Sequence, residues 1–171
     1  YGDGGAIFTN DDHLAEQCKA IRIHGTSSDK YNSETIGLNG RLDSMQAAVL
    51  LEKLTIFDEE LAMRNKVSNY YRKYLNDAQC IPENYHSSHA LFSITFDSHK
   101  KREEIVNTLK QNNIPSVIYY KYPIHLMKGF GYLGYKDGDF PISEGLSQKI
   151  VSLPMHPYLQ KEEIDQVIES I

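Results

Sequence analysis

The segment from Leu42 to about Leu75 constrains this chain more than any other. Leu42, Met45 and Val49 recur at i, i+3 and i+7, Leu54, Phe57 and Leu61 continue similarly, and Met63, Val67, Tyr70, Tyr71 and Tyr74 form a second stripe. This is the spacing of a helix with an apolar face. A break near Thr55–Asp58 is expected, which leaves one long bent helix or two in series. Helical stretches of that length often link two domains. The entrance is the unusual part: in GLNGRLD (37–43) two glycines already make the turn, yet Asn39, Arg41 and Asp43 follow. Asn39 or Asp43 suffices to cap the helix. Arg41 is not explained by capping, because a cation beside a helix N-terminus opposes the macrodipole unless an anion faces it.

With 171 residues, 40% of them hydrophobic, the chain can build one good core, or a small domain plus a piece of another. A net charge of −5 argues against nucleic acid, since the cations are scattered among acids and only Lys100-Lys101-Arg102 cluster. The two cysteines, Cys18 and Cys80, lack metal-type spacing and fit free thiols in a reducing cytoplasm. The longest uncharged apolar run, AAVLL at 47–51, is far short of a membrane span. The chain opens YGDGGAIFTN without a methionine, which suggests a cut through a larger protein.

Elsewhere, AIFT (6–9) suits a short buried strand, and Asn10-Asp11-Asp12 supply caps for a helix to about Ile23. Residues 25–40 form a long polar loop. ALFSITF (90–96) alternates as a strand, Asp97-Ser98 cap the next helix, and SVIYY (116–120) is expected to be another strand. That β-α-β order resembles half of a small α/β sandwich. A loop rich in glycine and aromatic residues spans 126–140, and short helices at about 143–151 and 161–171 flank SLPMHPYL.

GDGG (2–5) reads as a tight turn or as a cradle for an anion. His24 and Gly25 end the first helix, where imidazolium and a left-handed glycine are both favoured. No histidine stands at metal-ligand spacing from an acid or cysteine, so no metal site is expected; His86 and His89, in a serine-rich loop, are expected to be solvated. Tyr119, Tyr120, Tyr122, Lys121 and His125 lie at the end of the expected strand and in the loop after it, where sites on α/β scaffolds collect. Only one of Tyr119 and Tyr120 can face inward from a strand, so the other needs a partner or ligand.

Taken together, YGDGGAIFTNDD, IRIHG, IGLNGRLDSMQAAVLLEKL, SVIYYKYPIHL and SLPMHPYL resemble the nucleotide-sugar aminotransferases of the DegT/DnrJ/EryC1/StrS type, along the whole of residues 1–171. The resemblance implies an α/β chain, the C-terminal part of a fold-type I pyridoxal phosphate-dependent transferase. Residues 1–55 would be the end of the large cofactor-binding domain, and residues 56–171 the linking helix and the small α/β domain. It also implies a cytoplasmic homodimer with shared active sites, serving polysaccharide biosynthesis, with a nucleotide-linked ketosugar and glutamate as substrates.

In that family the lysine that holds the cofactor lies a few residues before the YGDGG segment, so no catalytic residue is expected in this chain. Carried over by residue, Asn39 would reach the cofactor phosphate of the other subunit. Arg41 would face the same anionic site, whether phosphate, sugar diphosphate or carboxylate. Tyr119 and Tyr120 fall where related uronate enzymes carry His-Tyr in a segment contacting the sugar nucleotide, and His125 matches the histidine of a PLHL-like segment. Tyr119 departs from that pattern, and a neutral phenol cannot give the positive charge of an imidazole. A sugar 3-dehydratase of the same fold, and a non-catalytic dimerising or regulatory domain, are the alternatives.

Overall fold

The computed structural model describes residues 3–76 and 78–171. They fall into two compact units, one running up to Phe57 and the other Asp58–Ile171.

The first unit holds helices α1 (Asp12–Arg22) and α2 (Ser44–Thr55). Asp11 caps α1, its carboxylate accepting the Leu14 amide at 3.1 Å. Asp43 caps α2 in a box with Gln46. Neither helix buries a residue, and Leu42, Met45, Leu50, Leu51 and Leu54 are exposed. The sequence periodicity of α2 is that of a core helix, yet the described residues of its own unit leave none of it fully buried. AIFT is extended and unpaired rather than a strand, because among the described residues no second strand lies beside it to take its ladder bonds.

The second unit has its own core. Helix α3 (Phe57–Tyr71) follows α2 after a break at Ile56, where the sequence had placed one. Strand β1 (Phe92–Thr95), helices α4 (His99–Gln111) and α5 (Pro141–Lys149), strand β2 (Ile150–Leu153) and helix α6 (Lys161–Glu169) complete it. β1 and β2 pair antiparallel, Phe92 opposite Leu153 and Ile94 opposite Val151. Single bridges add Ala78 beside Ile94 and Val117 beside Ser152, so the sheet is small and helices supply most of the unit.

Tyr71 of α3 lies at the centre, fully buried and stacked on Phe92 with ring centroids 4.8 Å apart. Ile105 and Leu109 of α4, Val151 and Leu153 of β2, and Ile164 and Val167 of α6 close around them. The α4 pair is spaced i, i+4 and the α6 pair i, i+3, one helical face each.

Three expectations are corrected here. Residues 116–120 form no strand and make one bridge, at Val117. The helix expected over 143–151 ends at Lys149, and Ile150–Leu153 is the strand that completes the sheet. Its β-branched and apolar residues were absorbed into a helical pattern because four residues are too few to show alternation. His89 is buried rather than solvated: the backbone turns inward there at φ 46°, and the Arg64 guanidinium donates to its carbonyl at 3.0 Å. Burial, then the charges of Arg72 and Arg64, push its imidazole below the ordinary 6.5, so it is neutral at pH 7.

Candidate functional site

In the first unit the site residues are carried by the loop between α1 and α2. Helix α1 ends at Arg22 with Ile23 as its C-cap, and His24 and Gly25 both take left-handed backbone at φ 65° and 73°. Residues 38–40 then run back along the helix end. The amide of Leu38 donates to the Ile21 carbonyl at 2.9 Å, that of His24 to Leu38 at 3.0 Å, and that of Gly40 to Arg22 at 2.8 Å. This requires Gly37 to pass against Gly25: a Cβ on Gly37 would sit 2.1 Å from the Gly25 nitrogen. Two glycines that look like ordinary turn residues therefore form one crossing.

Asn39 and Arg41 emerge from this pinned loop exposed. Arg41 Nη1 donates to Asn39 Oδ1 at 3.2 Å. Among the described residues the guanidinium has no carboxylate partner; Asp43, the nearest acid in sequence, is engaged in capping α2. Holding Asn39 by its carbonyl oxygen leaves the amide Nδ2–H donors and most of the guanidinium facing outward. The chemistry of this donor set fits a phosphate or a diphosphate.

In the second unit Tyr119 and Tyr120, joined by a cis peptide bond, are 37% and 68% exposed, with ring centroids 5.2 Å apart. Neither faces the core, contrary to the alternation expected of a strand. Together with Tyr122, Ile124 and, from α5 and its approach, Phe140 and Leu146, they line a hollow of about 630 Å³.

His125 does not line it. Its side chain is 9% exposed, its Nε2 lies 2.8 Å from Glu144 Oε1, and its ring packs 4.7 Å from that of Phe140. Glu144 also accepts the amides of Gly138 at 2.9 Å and Phe140 at 3.1 Å. Burial pushes the Glu144 carboxyl up, but those two amides and His125 outweigh it and hold it below 4.5. The sequence reading passed over Glu144. Its signal is Pro141 at the first turn of α5 with an acid three residues on, a helix-start pattern whose carboxylate is free to reach back to the amides before it. Among the described residues no three His, Cys, Asp or Glu side chains gather as metal ligands, and no helix is long and apolar enough to cross a membrane.

Residues 1–171 match the DegT/DnrJ/EryC1/StrS aminotransferase family from end to end. The chain belongs to that family. Members of the DegT/DnrJ/EryC1/StrS family are pyridoxal phosphate-dependent. The chain is 39% identical over 175 residues to a "Pleiotropic regulatory protein" of Geobacillus stearothermophilus, matching 100% of this chain and 47% of that protein. It is 37% identical to the dTDP-3-amino-3,4,6-trideoxy-alpha-D-glucose transaminase of Micromonospora megalomicea, over 100% of this chain and 47% of the relative. It is also 37% identical to the UDP-2-acetamido-2-deoxy-3-oxo-D-glucuronate aminotransferase of Pseudomonas aeruginosa, over 96% of this chain and 45% of the relative.

The fold matches a crystal structure of a DegT DnrJ EryC1 StrS aminotransferase from Brucella abortus with a TM-score of 0.85 and 38% identity, covering 95% of this chain and 44% of that one. The chain thus spans under half the length of the family members it matches, and corresponds to part of a sugar-aminotransferase fold.

Proposed function

We propose that the protein to which this chain belongs transfers an amino group from glutamate to a keto carbon of a nucleotide-linked sugar. The observation that carries the reading is the Asn39–Arg41 pair, two exposed donors on a hydrogen-bonded loop with no carboxylate partner among the described residues. Bound pyridoxal phosphate would supply the electron sink for the exchange. Asn39 would hold the cofactor phosphate across a homodimer interface, and Arg41 the anionic part of the substrate beside it. Tyr119 and Tyr120 would bear on the sugar nucleotide.

His125 would act by position: tied to Glu144, it would fix the turn at Ile124–Leu126 that follows the tyrosines in sequence. Residues 1–55 would finish the large domain, and residues 56–171 would form the linking helix and the small domain. A homodimer and the rest of the large domain would cover the apolar faces of α1 and α2.

The test is Arg41→Ala in the protein expressed from its complete gene. Loss of one charged hydrogen-bonding group should weaken cofactor or UDP-sugar binding by roughly 1.5–3 kcal/mol, read by calorimetry. Unchanged affinity for both would reduce Arg41 to a loop residue and remove the main support of the reading.

The name of the Geobacillus relative favours a second reading, a regulatory protein on the same fold. The two separate in one assay: a regulator without catalysis would dimerise yet release no 2-oxoglutarate from glutamate in the presence of pyridoxal phosphate and a ketosugar nucleotide.

A further inference from the structure

We infer that the Tyr119–Tyr120 hollow selects an uncharged hexose, carrying methyl or hydroxymethyl at C6, over a uronate; the inference rests on the nucleotide-sugar reading above. The lining residues contain no lysine, arginine or histidine, and their one formal charge is negative, that of Asp139.

The cations nearest in sequence, Lys121, Lys149 and His125, adjoin the lining without being part of it. Lys121 lies over the Tyr122 ring at 5.6 Å and lines a neighbouring depression that contains Asp137 and Glu144. Lys149 lines another with Asp97. His125 is held by Glu144. Of the hydroxyls at the rim, Ser147 already donates to the Glu144 carbonyl at 2.7 Å.

A carboxylate entering this space would therefore lose water, meet the negative faces of aromatic rings, and approach Asp139, with only the neutral hydroxyls of tyrosine and serine to replace its hydration. An uncharged sugar meets none of these penalties. Its C–H face can pack on Tyr119 and Tyr120 while its hydroxyls reach the phenol groups, and the apolar wall formed by Ile124 and Leu146 accepts a methyl or hydroxymethyl group without a counter-ion.

The measurement is calorimetric titration of the protein from its complete gene with matched pairs differing only at C6: UDP-N-acetylglucosamine against its uronate, and dTDP-glucose against dTDP-glucuronate. The expected result is at least tenfold weaker binding of the uronate within a pair. Tyr119→Lys, which puts a cation at the hollow, should narrow that gap while the neutral sugar binds no more tightly. Equal or tighter binding of the uronate overturns the inference and leaves the nucleotide-sugar reading standing, with Arg41 as the carboxylate's partner. Discrimination that Tyr119→Lys does not alter places selection outside this hollow and overturns it too. Failure of all four nucleotides to bind overturns the nucleotide-sugar reading, and the inference falls with it.

Discussion

His125 Nε2 lies 2.8 Å from Glu144 Oε1, and the same carboxylate gathers the amides of Gly138 and Phe140. One side chain on α5 thereby ties together the turn after the tyrosines and the glycine-rich segment that follows it. The hollow owes its far wall, Phe140, to this contact.

The pH dependence of the second unit follows from that carboxylate. Its folded pKa is held below 4.5, so its contribution to stability is complete above that value and is lost as pH falls through the folded pKa. Wild-type unfolding midpoints should drop on acidification below about pH 4.5. Glu144→Gln should start lower at pH 7 and decline less over the same range; parallel declines would show that the latch does not titrate with folding.

Gly37→Ala should loosen the loop that presents Asn39 and Arg41, because the added Cβ would meet the Gly25 nitrogen at 2.1 Å and the Ile21 carbonyl oxygen at 2.7 Å. Backbone cannot move aside cheaply at a crossing. Amide exchange at Leu38 and Gly40 should accelerate at least about tenfold. Unchanged protection there would mean that the crossing tolerates a side chain.

Arg102 is 1% exposed on α4. Its Nε is 3.0 Å from Glu103 Oε1, but the geometry is off-axis, and among the described residues neither Nε nor Nη1 has a hydrogen-bond acceptor. Glu103 is 46% exposed and stays solvated without its partner, so replacing a buried, unsatisfied guanidinium by an apolar side chain of similar length removes a desolvation penalty. Arg102→Met should leave the denaturation midpoint unchanged or raise it. A loss above about 1 kcal/mol would reveal an acceptor worth a normal hydrogen bond.

Tyr71 separates packing from hydrogen bonding. Its hydroxyl donates to the Pro154 carbonyl at 3.1 Å, and its ring is fully buried against Phe92. Tyr71→Phe should cost about 0.5–1.5 kcal/mol and Tyr71→Ala about 3–5 kcal/mol, measured by urea denaturation. Equal losses would assign the whole effect to the hydroxyl.

The sequence by itself determined helices α1 to α4 and α6, the break between α2 and α3, and the strand at Phe92–Thr95. Each rests on contacts within a few residues: the i, i+3, i+4 apolar spacing, Asp11, Asp43 and Ser98 as caps, and alternation over 90–96. It also marked Arg41 as a cation without a local reason, and the GRLD motif with its neighbours marked the family.

Tertiary structure decided the rest. Strand β2 is a strand because β1 lies beside it, and residues 116–120 are not one because only Val117 finds a partner. His125 stands in the sequence without a partner; only the fold shows that Glu144, nineteen residues away, holds its ring. Arg102 stands in the sequence as the third cation of Lys100-Lys101-Arg102, and only the fold shows that it is buried. The Gly25–Gly37 crossing and the cation-free lining around Tyr119 and Tyr120 likewise depend on which distant residues meet. Capping and periodicity are local and leave their mark on neighbouring letters, whereas burial, counter-ions and close backbone approach are properties of contacts that the order of residues does not display.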